Sequence, residues 1–360
     1  MLKKNSVICF DKRQTNIAKG IAVLFLLWHH LFLYTPDGTD AFISIFSIRG
    51  IAIETVLAAY LRVCVAMFLF LSGYGLYKSW VKNNSKDVQY VRKKQFFISQ
   101  LLFVKKHILK LLLGFCFIYI LFVPLSIWFG QPFWEVYGNP FIGLLDFLGI
   151  ADLVGTATMN QSWWFMSLII VLYILFPILV GVMKKMPELL LAIATAVLLL
   201  GAFNFGFGVV KYNEYYLPFV FGMYFARRNL FEFLSNRFNS NVKRIAIVLP
   251  VILICLVYRF VSENTVYLDF VFASSIILIS YFFISKTKVL SSSLEVIGRN
   301  SDSIYMFHLF INYYYFQSYL FSLRYSLIIF LVYVIVCLLF AFLIHKMKKI
   351  LFFDKLYSLL

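Results

Sequence analysis

Two residues in the first apolar segment, NIAKGIAVLFLLWHHLF (16–32), have the types and spacing for proton transfer. Lys19 and His30 are eleven positions apart. At 3.6 residues per turn this is close to three full turns, so on a helix both lie on one face, roughly 16 Å apart along the axis. That face carries a cation near one end and a titratable base towards the other, while His29 points about a quarter-turn away. An imidazole, with an ordinary pKa near 6.5, suits the removal of a proton from a hydroxyl group in a nucleophilic attack. The plain alternatives are a lysine that snorkels to an interface and a histidine that hydrogen-bonds a neighbouring helix.

The elements that must position these residues are membrane helices. Of the 360 residues, 62% are hydrophobic and only 14% are charged, against roughly 45–50% and 25% in a soluble domain. The mean hydropathy is +0.87. A spanning helix needs about 20 predominantly apolar residues. Ten candidates follow, at approximately 17–35, 57–80, 107–129, 163–183, 188–207, 213–226, 245–262, 267–285, 303–322 and 326–345. With the N-terminus in the cytoplasm, all but five of the 33 Lys and Arg residues fall on the cytoplasmic side, the five being Arg49, Arg62, Lys211, Arg259 and Arg324. Such an asymmetry sets orientation, so both termini are expected in the cytoplasm. The net charge of +17 is therefore a topology signal and a grip on anionic lipid head groups, not a nucleic-acid footprint. The first helix is expected to be retained, since no small-residue cleavage site follows the basic N-terminus. The five cysteines are scattered and show no metal or disulfide spacing. The longest inner connection is 82–106 and the longest outer one is 130–162, which is aromatic, rich in Gly and Pro, and expected to fold back on the membrane surface. No internal repeat, P-loop or dinucleotide fingerprint is present.

Further candidates lie on these segments. His308, about two turns into the ninth, falls on its cytoplasmic half, and an ionisable group inside a bilayer is by default a candidate for function. Arg62, within the second and nearer the outside, is costly unless paired, and Glu54 is too far round the helix to pair with it simply. Ser72 and Gly73 are small residues suited to close helix packing. Trp163 and Trp164 fall at the outer boundary, as interfacial anchors or as a face on which a sugar stacks.

Four stretches, in order, resemble the membrane acyltransferase family called acyltransferase 3. AKGIAVLFLLWHHLF resembles its first helix, whose signature is a basic residue, ten intervening residues and a histidine. VAMFLFLSGYGLYKSW resembles its FxxSGY segment, SWWFMSLIIVLYILFP its WF helix, and IGRNSDSIYMFH its late NSxxIYxxH segment. In this resemblance His30 matches the histidine taken as essential. Lys19 stands where the family usually has arginine, which keeps the charge but loses the planar fork. Asn16 stands where many members have an acidic residue. KKHILK (105–110) matches a basic inner-face pattern usually formed by two arginines three apart, here His107 and Lys110.

The resemblance implies an all-α polytopic membrane bundle of about ten helices forming a single acyltransferase domain over 1–360, located in the cell membrane. It implies transfer of an acetyl group from cytoplasmic acetyl-CoA to a hydroxyl of an extracytoplasmic glycan or glycolipid, with no metal or prosthetic group. His30 and Lys19 are then the catalytic candidates, and Lys106, His107 and Lys110 the donor-binding ones. Arg62, Ser72, Trp163, Trp164 and His308 are the substrate-binding candidates. His30 acts either directly on the hydroxyl or through an acylated imidazole. A lipid-linked glycan transporter or flippase is the alternative, since intramembrane charges mark transport paths as well as catalysis. A polysaccharide polymerase fits less well, because its acceptor-binding outer loop is usually arginine-rich and the outer loop here is acidic.

Overall fold

The computed structural model describes residues 10–35, 41–84, 93–129, 133–201, 210–262, 265–351, 353 and 355–356. The first half of the chain forms α1 (Lys12–Phe32), a small hairpin of β1 (Ser47–Ile48) and β2 (Ile51–Ala52), α2 (Ile53–Leu61), α3 (Cys64–Asn84), α4 (Lys93–Trp128), α5 (Phe133–Tyr137), α6 (Pro140–Phe147) and α7 (Trp164–Lys185). Then come α8 (Pro187–Gly201), α9 (Val210–Asn213), α10 (Tyr216–Arg228), α11 (Leu230–Arg237), α12 (Asn241–Val261) and α13 (Asp269–Phe282). The chain closes with α14 (Lys288–Arg299), α15 (Ser301–Leu309), α16 (Gln317–Ser322) and α17 (Ser326–Ile350). It is an all-α polytopic bundle.

Among the described residues, seven helices are long and apolar enough to cross a membrane: Lys12–Phe32, Ile53–Asn84, Ile98–Trp128, Gln161–Lys185, Asn241–Val261, Val266–Lys286 and Ser326–Ile350. Each corresponds to one of the ten segments expected from sequence. The other three differ. Pro187–Leu200 is a shorter apolar helix, and α10 has 13 residues. The segment expected as one helix over 303–322 is interrupted, because a π-helical turn at Phe310–Tyr315 separates α15 from the six-residue α16. Two connections also differ from expectation. Helix α4 begins at Lys93, inside the expected inner loop, and 130–162 contains α5 and α6.

The chain divides into two compact units, each assembled from separate stretches. The first comprises 1–23, 63–90 and 178–299. Its centre is the pairing of α3 with α10, where Gly73 faces the backbone of Phe219 and Gly222 faces the backbone of Phe70. A Cβ on either glycine would overlap a carbonyl oxygen of the opposing helix, so the small residue at 73 does serve close packing, as its sequence context suggests. Gly222→Ala is expected to lower the yield of folded protein by forcing the two helices apart, an overpacking cost of about 1–3 kcal/mol or more. Size-exclusion profiles of the solubilised variant check this, and a wild-type profile with an unchanged melting temperature would contradict it. Beside this pair, Arg259 forms a buried ion pair with Asp269, with side chains 3% and 7% exposed.

The second unit comprises 24–62, 91–177 and 300–360. Glu54 is fully buried near the start of α2. Its carboxylate accepts hydrogen bonds from Ser44 Oγ (2.5 Å), Ile45 N–H (2.8 Å) and Ser326 Oγ (2.6 Å), as a buried charge requires. Its carbonyl accepts from Trp28 Nε1 at 3.1 Å. One acidic residue thus ties α1, the stretch leading into the hairpin, α2 and α17 together.

Candidate active site

The last turn of α1 presents His29 and His30 within the second unit. His29 donates from Nδ1 to the Ala58 carbonyl at 2.7 Å, which fixes it to α2. His30 is oriented differently. Its ring centroid lies 4.9 Å from that of His29 and 5.0 Å from that of His308. His308 is fully buried, and its Nδ1 donates to the carbonyl of Tyr305 at 2.8 Å. This leaves Nε2 as the nitrogen with the available lone pair. Among the described residues, His30 Nδ1 and His308 Nε2 are buried without a hydrogen-bond partner. A buried polar atom left unpaired costs about 1–3 kcal/mol, so two in adjacent imidazoles make this the candidate site. Tyr34, 57% exposed, stacks beside His30 with centroids 6.4 Å apart.

The positions of these rings are set by hydrogen bonds to backbone carbonyls. In α15, the Met306 carbonyl accepts from Trp163 Nε1 at 2.8 Å and from Asn160 Nδ2 at 3.2 Å. Tyr305 donates its hydroxyl to the Ser162 carbonyl. The π-helical turn that follows interrupts the regular ladder, a feature frequent at functional sites. Tyr333 donates to the His308 carbonyl at 2.8 Å. At the end of α1, where carbonyls lose their intrahelical partners, the His30 carbonyl accepts from Asn312 Nδ2 (3.2 Å) and Tyr313 OH (3.4 Å). Residues more than 280 positions apart in sequence therefore converge on one histidine.

The model of the acyltransferase 3 family, described as an acyltransferase domain, matches residues 14–346. The chain belongs to this family. It is a multi-pass membrane acyltransferase. Neither curated proteins nor solved structures gave a match.

In this acyltransferase the second unit holds every sequence-derived site candidate except Lys19 and Ser72, which belong to the first. Lys19 and His30 do lie on one unbroken helix, as the spacing requires. His30 and His308, from opposite ends of the sequence, are brought together with their rings 5.0 Å apart. Trp163 is neither an interfacial anchor nor an open stacking face. It is 1% exposed and packed against Phe115, Tyr119 and Phe310, and it acts through the Met306 carbonyl. Trp164 is half-buried beside Phe165. Arg62 caps α2 at the turn into α3 and is half-buried. On α4, Lys106 is exposed while His107 and Lys110 are half-buried. His107 Nδ1 lies 2.8 Å from the Phe103 carbonyl, one turn back. The span Ile98–Trp128 has 31 residues, so it is roughly 46 Å long, more than a hydrocarbon core of about 30 Å.

Asn312, Tyr313 and Asp146 were not among the sequence candidates. An asparagine inside the apolar run LFINYYYF was a visible signal for the first. Asp146, 1% exposed, accepts from Tyr137 OH at 2.5 Å and from Met159 N–H at 2.9 Å, so it anchors the segment that carries Asn160 and Trp163. Burial raises its carboxyl from an ordinary 3.8 to about 7, partly offset by the hydrogen bonds from Tyr137 and Met159. As pH rises from about 4 to about 7 an unfolded chain ionises this group and the folded one does not. Stability is therefore lost across that window, by up to roughly 4 kcal/mol, and is level above it. Asp146→Asn keeps an oxygen that accepts both bonds and removes the charge. It is expected to flatten the fall in melting temperature between pH 5 and pH 7 in detergent. An unchanged slope would place the titration elsewhere.

Proposed function

We propose that this acyltransferase moves an acetyl group from acetyl-CoA, bound on the cytoplasmic side of the plasma membrane, to a hydroxyl of a glycan or glycolipid on the other side. The observation that carries the reading is the pair of adjacent imidazoles, His30 and His308, each with a buried ring nitrogen that has no protein partner among the described residues. Acyl transfer to a weakly acidic hydroxyl calls for such a base. In the direct form of the reaction, the acceptor hydroxyl gives its proton to His30 as its oxygen attacks the thioester carbonyl. The new C–O bond forms, the C–S bond breaks, and the imidazolium returns the proton to the departing thiolate. In the two-step form the imidazole attacks the thioester, the C–S bond breaks and the thiolate leaves with the ring's proton; the hydroxyl then attacks the acylimidazole, the N–C bond breaks and the hydroxyl's proton goes to the ring. His308, held by the Tyr305 carbonyl, contacts the acceptor. Transfer of radiolabelled acetyl from acetyl-CoA to material in membrane vesicles tests this, and separates it from a transporter, which would move a lipid-linked glycan without labelling it. Absence of label in any glycan or lipid fraction would overturn the acetyl reading.

The donor side rests on charge. CoA is a polyanion, and Lys106 and Lys110, one turn apart in the first half of α4, share a face with each other. Neutralising Lys106, His107 and Lys110 together is expected to raise the apparent KM for acetyl-CoA several-fold while changing the acceptor KM little, since charge-assisted contacts to phosphate belong to the donor alone. An unchanged donor KM would return these residues to setting topology.

A further inference from the structure

Asn312 lies in the π-helical turn and is fully buried. Its Nδ2 donates to the His30 carbonyl, which commits the other end of the amide, Oδ1, to accepting. Among the described residues Oδ1 has no partner. His308, one helical turn earlier, is in the same condition: its Nδ1 proton is spent on Tyr305 and its buried Nε2 is an acceptor without a donor. With His30 Nδ1, three buried atoms around one carbonyl and two neighbouring rings lack partners. Two of them are acceptors by the bonds their other ends make, and the third accepts when His30 serves as the base.

A cluster of acceptors is not an oxyanion site, which needs donors aimed at developing negative charge. It is matched instead by a ligand that brings O–H groups. One hydroxyl brings one proton, so a simple alcohol whose proton goes to His30 leaves Asn312 Oδ1 and His308 Nε2 unpaired in a buried place. A sugar ring brings more: the hydroxyl on the adjoining carbon supplies a second proton, for Asn312 Oδ1, and a further ring hydroxyl a third, for His308 Nε2, which contacts the acceptor. We infer that Asn312 is a specificity-determining residue whose Oδ1 accepts from the hydroxyl adjoining the one that is acylated, so that the acceptor is a vicinal diol on a sugar ring. This rests on the reading that His30 acts on an acceptor hydroxyl. A site built to bind a hydroxyl rejects analogues and orientations that lack it, and here that selects which ring oxygen faces His30.

The test is the position of the label. Membranes containing the full-length protein are supplied with acetyl-CoA labelled with ¹³C in the acetyl group, and the acetylated glycan is located by NMR. The expected product carries its acetyl group beside a free hydroxyl. Asn312→Leu, close in volume and without the acceptor, is expected to lose at least about tenfold in selectivity for that position, spreading label over other hydroxyls. Acetyl on a hydroxyl with no free neighbour overturns the inference from the wild-type product alone, whether or not the variant folds. Asn312→Leu that is slower but keeps the wild-type position overturns it too, reducing Asn312 to a support for the His30 carbonyl. A folded wild-type protein that labels no glycan would overturn the acetyl-transfer reading, and this inference with it. Label placed on an isolated hydroxyl leaves that reading intact while removing this one.

Discussion

His30→Ala is expected to lower acetyl transfer at least about 100-fold while leaving the protein folded and inserted. Loss of a general base or nucleophile costs this much in rate, and the side chain has few bonds of its own to lose, since its Nδ1 has no partner among the described residues. The fold is held at this point through the backbone: Asn312 and Tyr313 donate to the His30 carbonyl, which any residue supplies. His29→Ala should behave in the opposite way. Its Nδ1 bond to Ala58 joins two helices, and loss of such a bond in a membrane bundle costs about 1 kcal/mol. Less folded protein with largely retained activity per molecule is the expected result. Lys19→Arg should be tolerated, because it keeps the charge, and Lys19→Ala should weaken use of the donor. The measurement is initial rate of labelled transfer, normalised to folded protein by size-exclusion peak area. A well-folded His30→Ala protein with near-normal transfer would sink the assignment and move the base to His308 or His29.

What could be read from the sequence here was local. The face shared by Lys19 and His30 depends only on helical periodicity, and α1 runs unbroken through both. The long apolar segments became spans for the same reason, since length and composition decide them. What could not be read depends on partners far away in the chain. Trp163 lay at the end of an apolar run and suggested an interfacial ring. Its segment is drawn inward because Asp146 accepts from Met159 N–H and because Asn160 and Trp163 itself reach Met306, more than 140 positions on. The ninth segment reads as one regular helix, whereas a π-helical turn breaks it after Leu309. Glu54 reads as too far round the helix to pair simply with Arg62. Its carboxylate is occupied instead by two serines and a backbone N–H, one of those serines 272 positions away. Hydrogen bonds of this range leave no periodicity to find.

His308 offers the second large effect, and its chemistry can be separated from that of His30 by the choice of replacement. His308→Ala removes both ring nitrogens. The lost contact to the acceptor, in a buried setting, is worth about 1–3 kcal/mol, or roughly 5- to 150-fold in kcat/KM. The donor KM should stay level, since the ring stands beside His30 and the donor is proposed to bind on α4. His308→Gln is the sharper variant. A glutamine amide reaches about as far as Nε2 and still forms a hydrogen bond there, but it does not take up a proton near neutrality. If His308 binds the acceptor and His30 takes the proton, His308→Gln should retain transfer within about tenfold of wild type, while His308→Ala falls well below it and His30→Ala falls further. If instead His308→Gln is as inactive as His308→Ala, and His30→Ala retains transfer, the proton goes to His308 Nε2, and His30 is the contact. The two imidazoles are close enough for either assignment to be drawn on geometry alone, so the rank order of these three variants decides between them.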